Sequence, residues 1–257
     1  VVELRADCAR CAGLCCVIPA LTRSADFAID KPAGEPCPNL RDDFRCGIHA
    51  SLRVRGFPGC TVYDCFGAGQ QVVQVTFGGA AAARDELSAA FGVLRPLHEL
   101  LWHVDAARGF PAAASLRPAL DTLFARVSEV TTASAAVLAG VSVAELRAAA
   151  GPLLREASRL ARAGTPGRDL RGADLIGKKP RGDLRGADLG SAYLIGADLR
   201  GADLDRADVI GADFRGADVR GAHLATALFL TQPQVNAANG DAATRLPAGL
   251  DRPPHWG

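Results

Sequence analysis

The chain contains no methionine. It therefore lacks an initiator, so Val1 is read as something other than the native start, and a leader or signal peptide ahead of it stays open. Net charge is nearly absent: 29 Lys and Arg stand against 28 Asp and Glu, a formal +1. That balance excludes recruitment of a partner by a large field of one sign, and nucleic acid is not an expected partner. No run approaches the roughly 20 apolar, uncharged residues that a membrane-spanning helix needs, so no membrane partner is expected. Aromatics make up 5% of a chain that is 49% hydrophobic, which leaves packing to Ala, Leu and Val. Residues 66–257 hold no cysteine.

Recognisable catalytic frames are also missing. His98-Glu-Leu-Leu-Trp-His103 is one residue too long for a zinc-protease helix, because positions i and i+5 lie about 140° apart on a helix. Gly67-Ala-Gly69 is a fragment of a phosphate loop with no lysine at the required place. Neither a nucleophile elbow nor a defensible pair of carboxylates occurs. An enzyme is therefore not the first expectation.

What is present falls into distinct stretches. All eight cysteines lie between Cys8 and Cys65, and this marks residues 1–78 as a metal- or disulfide-dependent unit. Residues 79–163 read as helical. Leu87, Phe91, Leu94, Leu97, Leu101 and Val104 recur at helical spacing. Pro96 and Pro152 are expected to kink or split their helices. A second helix is expected from Ser115. A third starts at Ser142-Val-Ala-Glu145, a capping-box pattern, and stops at Gly164-Thr-Pro-Gly167.

The cysteines read Cys8-x2-Cys11-x3-Cys15-Cys16, then Cys37-Pro, Cys46-Gly-Ile-His49 and Cys60-x4-Cys65. A Cys-x2-Cys pair places two sulfurs on one tight turn, and thiolates suit Zn²⁺ or an iron–sulfur cluster. Adjacent cysteines are hard to direct at one ion and more naturally serve two metals, or one ligates and one is buried. A disulfide framework is the rival reading. The candidate ligands are Cys8, Cys11, Cys15, Cys16, Cys37, Cys46, Cys60 and Cys65, with Cys16 ranked last, and His49 as a possible substitute for a thiolate. Residues 7–69 resemble a zinc- or iron-chelating family whose signature is Cys-x2-Cys-x2-Cys-Cys. Here Ala12-Gly-Leu14 supplies three residues where the signature has two, and Arg55-Gly-Phe-Pro58 stands where that family has Arg-Pro. The resemblance implies a metal and little about a reaction, although some members are associated with protein lysine methylation.

From Asp169 onward the sequence repeats every five residues, as in Ala197-Asp-Leu199, Ala202-Asp-Leu204 and Ala212-Asp-Phe214. Twelve large apolar centres run from Leu170 to Phe229, with one nine-residue gap between Leu175 and Leu184 around Lys178-Lys-Pro-Arg181. A bulge is expected at that gap. A period of five fits a square coil of about 20 residues, with centres and alanines inside, glycine at corners, and the Asp and Arg positions in solvent. Residues 168–231 resemble the pentapeptide-repeat family, some of whose members mimic a DNA duplex and protect DNA gyrase. Such mimicry needs a dominantly negative rod, whereas ten Lys and Arg here oppose ten Asp.

The expected fold is mixed: a Cys-rich metal-binding module (1–78), an α-helical middle segment (79–163), a right-handed quadrilateral β-helix formed by the pentapeptide-repeat solenoid (168–231), and a C-terminal cap and tail (232–257). The expected function is that of a cytoplasmic metal-binding protein, Zn²⁺ or iron–sulfur undecided, whose repeat rod acts as scaffold or docking surface for a protein partner. The alternatives are a metal-dependent redox or modifying enzyme, and a gyrase-protecting protein. A homodimer is left open.

Overall fold

The computed structural model describes residues 2–79, 82–165, 167–180 and 182–257. Pro166 of the expected helix terminator, Arg181 of the interruption, and residues 80 and 81 at the start of the expected helical stretch lie outside the described residues. The chain divides into two compact units. One comprises Val1–Arg108 and Leu116–Leu154; the other comprises Gly109–Ser115 and Arg155–Gly257.

The first unit begins with irregular chain. Its regular pieces are α1 (Leu14–Val17), α2 (Pro58–Thr61) and α3 (Ala68–Gln70), which passes into a π-helical stretch, Gln71–Thr76. The helices α4 (Arg84–Arg108), α5 (Arg117–Thr131) and α6 (Ala135–Leu138) follow, and α7 (Val143–Ala161) starts in this unit and ends in the second. Leu94, Leu97, Leu101 and Val104 of α4 are fully buried, three and four residues apart, so one stripe of the helix faces the core. Leu94 packs in one cluster with Leu14, Ala68, Val72, Ala90, Phe91 and Leu138. Pro96 does not split α4, which is continuous across it. A proline inside a helix costs about 3 kcal/mol, and burying a single large apolar side chain returns about 1.5–3 kcal/mol. Pro152 is likewise inside α7. The Ser142 side chain accepts a hydrogen bond from the Glu145 backbone N–H, one half of the expected box. The helix expected from Ser115 instead starts at Arg117, after a 3-10 stretch over Pro111–Leu116.

In the second unit the repeat segment is a succession of tight turns. After each turn, one residue pairs with the residue about 20 positions on. Asp188 bridges to Asp208 and Asp208 to Leu228, Tyr193 bridges to Asp213, and Asp198 to Asp218. The pairing is parallel: Leu189 N–H donates to Asp208 O at 2.8 Å, and Asp208 N–H to Ala187 O at 2.8 Å. Each bridge is one residue wide, because the neighbouring residues already belong to turns. No β-strand exists among the described residues. The expected quadrilateral β-helix is therefore corrected: a five-residue unit spends most of its length turning and leaves too little extended chain for a strand. The nine-residue gap appears in the spacing, since Asp169 pairs with Asp188 and Asp174 with Tyr193, one residue short of the regular interval.

The centres pack inward. Leu189, Leu194, Leu204, Val209 and Val219 are fully buried, as are Ala187, Ala192, Ala197, Ala207, Ala217 and Ala222. Backbone at every fifth position is left-handed. Glycine fills most of these corners, for example Gly201 and Gly221, but Ser191 (φ 56°) and Arg206 (φ 52°) take the same conformation. Beyond the repeats, α8 (Gln232–Ala237) follows as a short helix. The Thr231 hydroxyl and the Gln234 side chain form its capping box, and Gln234 Nε2 donates to Val209 O and Ala212 O at 2.8 and 3.0 Å. Val209 O also accepts from Ala212 N–H at 3.0 Å, so the Gln234 amide adds a second donor there and reaches the Ala212 carbonyl as well.

Four Asp residues pair with the Arg two residues on: Asp183 with Arg185 at 2.5 Å, Asp198 with Arg200 at 2.8 Å, Asp213 with Arg215 at 2.7 Å and Asp218 with Arg220 at 2.6 Å. Asp208 departs from the expectation. It is buried, accepts from Ser158 Oγ at 2.5 Å, and lies 3.5 Å from Arg171. Burial raises its pKa above the usual carboxylate value, and the Ser158 hydrogen bond only partly offsets that.

Two outcomes follow for the second unit. A left-handed backbone costs a side-chain-bearing residue about 1–2 kcal/mol, part of which glycine returns as chain entropy in the unfolded state. Arg206→Gly is expected to leave the denaturant midpoint unchanged or to raise it by up to about 1 kcal/mol of stability. Asp208 binds its proton more tightly folded than unfolded, so its cost is carried in full above the raised pKa and relieved as pH falls through it. Asp208→Asn is expected to remove that slope on the acid side of neutrality. Asp208→Ala leaves Ser158 Oγ and Ile210 N–H without their acceptor and costs about 1–3 kcal/mol. Urea unfolding of both variants across pH checks the pair.

Candidate metal centre

Cys8 opens a 3-10 turn, Cys8–Arg10, whose start is capped by the Asp7 carboxylate accepting from Ala9 N–H. Cys15 and Cys16 sit in α1, entered through Gly13 in the left-handed region. Gly13 is required: a Cβ there would lie 2.7 Å from Leu40 and 3.1 Å from Phe44 O. Cys37 is tied to α1 by its backbone N–H, which donates to Cys16 O at 2.9 Å. Cys46 pairs with Leu40 in an isolated bridge. Cys60 belongs to α2, and Cys65 precedes Phe66 (φ 49°) and Gly67 (φ 83°) at the entry to α3.

Two neighbourhoods result. In the first, Gly69 lets two sulfurs approach the same backbone, since a Cβ there would meet Cys11 Sγ at 2.6 Å and Cys65 Sγ at 3.7 Å. Burial raises the Cys8 thiol, and the Cys15 and Cys65 sulfurs beside it oppose its ionisation further. Burial pushes Cys11 up to about 11, with Cys15 and Cys65 adding to it. Cys65 is raised in the same way, with Asp64 and Cys15 as charged neighbours. Cys15 is held protonated by its hydrogen bond with the Cys16 thiol and then by burial. Cys8 and Cys15 still present surface to solvent, so water tempers the shift at that edge.

Around Cys60, burial pushes the thiol up to about 11, and the Cys37, Cys46 and Cys15 sulfurs further oppose its ionisation. Lys31 lies beside Cys37 and Cys16. It is buried, and its Nζ donates to Val17 O, Pro32 O and Glu35 O at 3.0, 3.0 and 2.8 Å. One ammonium thus ties α1 to the loop that leads to Cys37. Burial lowers its pKa, opposed by the neighbouring sulfurs and Glu35.

Helix α4 supports the Cys65 segment. Arg95 Nε donates to Asp64 O at 3.2 Å, and its guanidinium lies over the Phe66 ring, 5.5 Å from the centroid. His98 Nδ1 meets Phe66 O at 2.8 Å, and burial lowers the pKa of this imidazole to about 4, so it is neutral and donates to the carbonyl at physiological pH. Sequence reasoning missed Lys31, Arg95 and His98 as supports, and their residue types alone carry no such signal.

All eight cysteines are free thiols. Among the described residues, no three Cys, His, Asp or Glu side chains converge as a ready-made metal cage. The Cys11 and Cys65 sulfurs approach the same backbone at Gly69, and Cys15 influences both Cys8 and Cys60. His49 is exposed at the start of a 3-10 turn, and its link to Cys46 runs through the backbone. The donor set itself suits a thiophilic ion: eight sulfurs within Cys8–Cys65.

Residues 183–221 match the family model "Pentapeptide repeats" in 8 copies. The whole chain is similar to the uncharacterized protein YybG of Bacillus subtilis (strain 168), 44% identical over 265 residues that cover 99% of this chain and 95% of the relative. Among solved structures, a pentapeptide repeat protein (Rfr23) from the cyanobacterium Cyanothece 51142 aligns at 31% identity and a TM-score of 0.28, covering 30% of this chain and 53% of that one. Among the described residues, no helix is long and apolar enough to cross a membrane.

Desolvated thiols ionise late, and alkylation requires the thiolate. In the metal-free chain, iodoacetamide modification of Cys11 and Cys60 is expected to be slow at pH 7. It should climb about tenfold per pH unit toward the raised values of about 11. Peptide mass spectrometry across pH reads this. Half-maximal rates near the ordinary cysteine value of about 8.5 would remove the burial account.

Proposed function

This chain belongs to the family of Bacillus subtilis YybG, and we propose that its members are metal–thiolate proteins whose pentapeptide repeats present a docking surface to a protein partner. The observation that carries the reading is the crowding of all eight thiols into Cys8–Cys65, in two neighbourhoods, where few apolar residues are available to hold the chain. Thiolates bound to Zn²⁺ or to an iron–sulfur cluster would supply that missing cohesion, as in other small metal-dependent modules. Cys8, Cys11, Cys15, Cys16, Cys37, Cys46, Cys60 and Cys65 would hold the group, while His98 and Arg95 keep the Cys65 segment in place. Free thiols and metal ligation both suit a reducing compartment, and the cytoplasm is the proposed location.

The repeats support a binding role in preference to DNA mimicry. Paired Asp and Arg side chains such as Asp198–Arg200 and Asp218–Arg220 cancel locally, so the field that would imitate a duplex is weak. A surface of alternating, mutually paired charges is suited to a polar protein interface, where fixed side chains set register.

The test is metal content and its consequence. Chain purified without oxygen is expected to carry zinc, or iron with sulfide. Stripping the metal with a chelator should make residues before Arg84 susceptible to protease and leave the repeat segment resistant. A metal-free chain whose cysteine segment resists protease equally well would overturn the proposal.

A further inference from the structure

We infer that one face of the repeat segment, formed by Ile176, Tyr193 and Ile195, docks an acidic segment of a partner protein that brings an apolar side chain with it. The inference rests on the docking reading above and specifies the face and the partner's chemistry. In the repeat phrase, the residue before each inward centre is usually Asp, and the residue after it is most often Arg. Three apolar departures from that phrase meet on one face. Tyr193 and Ile195 flank Leu194, which is fully buried, and both point outward from it. Asp174 bridges to Tyr193, and Gly177 N–H donates to Ile195 O at 2.8 Å, which sets Ile176 in register with Ile195. Ile176 is 50% and Tyr193 52% exposed, and Ile195 is partly exposed. Apolar side chains exposed singly need no explanation, but a contiguous group rimmed by polar residues marks a contact site. Tyrosine is among the side chains that carry most of the energy at such sites.

Charge decides the partner. The repeat segment is neutral as a whole but not along its length. Residues 168–183 hold five Lys and Arg against three Asp, whereas residues 184–221 hold five Arg against seven Asp. Ile176 belongs to the positive stretch and is followed, after Gly177, by Lys178 and Lys179. Lys178 Nζ donates to Asp174 O at 2.7 Å, so this ammonium sits at the border of the face. Lys179 lies 3.5 Å from Asp198, whose carboxylate is held by Arg200 at 2.8 Å. Both lysine side chains are more than half exposed. The Asp–Arg pairing that cancels charge elsewhere on the repeats is therefore incomplete here, and carboxylates of a partner complete it. A second copy of the chain fits less well, because a two-fold contact through this face sets one positive stretch against another.

The experiment is selection of a random library of short phage-displayed peptides on the full-length chain, followed by fluorescence anisotropy with the enriched peptides. Enrichment of peptides that combine Asp or Glu with Leu, Ile or Phe is expected. Ile176→Arg, Tyr193→Asp and Ile195→Arg give the face the residues that the phrase carries elsewhere. The combined variant should keep the wild-type urea midpoint and weaken the peptides by about tenfold or more. Lys178→Glu with Lys179→Glu should weaken them by a similar factor, and this second variant decides if the midpoint of the first one falls. Added salt should weaken binding to the wild type. If the enriched peptides bind both variants as tightly as wild type, or show no excess of Asp and Glu, this face and its acidic partner are overturned while the docking reading survives. A labelled single-stranded oligonucleotide that displaces the peptides from this face at lower concentration would make the partner a nucleic acid and overturn the proposal. If no peptide enriches above background, both this face and the docking reading fail.

Discussion

The first unit depends on what it does with sulfur. Cys11, Cys60 and Cys65 are desolvated, and burial raises each thiol above the ordinary cysteine value, Cys11 and Cys60 to about 11. Burying thiols is not costly while they stay protonated, because a free cysteine packs as a small hydrophobe. Ionising several of them at such short range is costly, since each thiolate repels its neighbours. The same arrangement therefore behaves in two ways. As thiols, the cysteines are inert filling for a segment poor in apolar side chains. In the proposed metal-bound form, a cation would neutralise them and they would serve as cross-links. The supports fit this view: the Lys31 ammonium sits among backbone carbonyls beside Cys37 and Cys16, and Gly69 gives the Cys11 and Cys65 sulfurs room.

The second unit meets a different constraint, that of pairing its backbone while turning every five residues. Its solution is economical in extended chain. One residue per unit bridges to the chain about 20 residues on, and the turn between bridges is stabilised by the Asp carboxylate, which accepts the N–H two residues later, as at Asp198 and Asp218. The Asp of the repeat phrase thus has a local structural task before any role at the surface. The Arg two residues on pairs with the same carboxylate. Exposed pairs of this kind are worth little in stability, so their regularity does more to fix side-chain position along the surface than to hold the fold.

Much of this was legible in the sequence, and the failures have physical causes. The inward centres and alanines were readable because a five-residue period admits only one inward phase. The corner positions were readable wherever glycine marked them; Ser191 and Arg206 hid two, because burial of the surrounding centres holds those residues left-handed despite the cost. The β-helix expectation failed because periodicity reports which side chains face inward, not how many consecutive residues are extended. Asp208 looked like every other Asp of the phrase, yet it is buried because Ser158 and Arg171 close over it, a contact between residues 50 positions apart in the case of Ser158. Splitting of α4 at Pro96 was overruled by Leu94 and Leu97 on either side, both fully buried.

The cysteine spacing gave the ligand candidates but not their grouping. Spacing along the chain associates Cys8 with Cys11 and Cys60 with Cys65, whereas the fold places Cys65 with Cys11 across Gly69 and leaves Cys60 with Cys37 and Cys46. The reason lies in the segment between Cys60 and Cys65: α2 ends at Thr61, and Arg95 and His98 of α4 then hold Asp64 and Phe66 by their carbonyls. That grip fixes the Cys65 segment at the entry to α3. Helix α4 has no sulfur of its own, yet it holds the backbone on both sides of one. The helical stretch, which reads in sequence as connection, is in this respect part of the site.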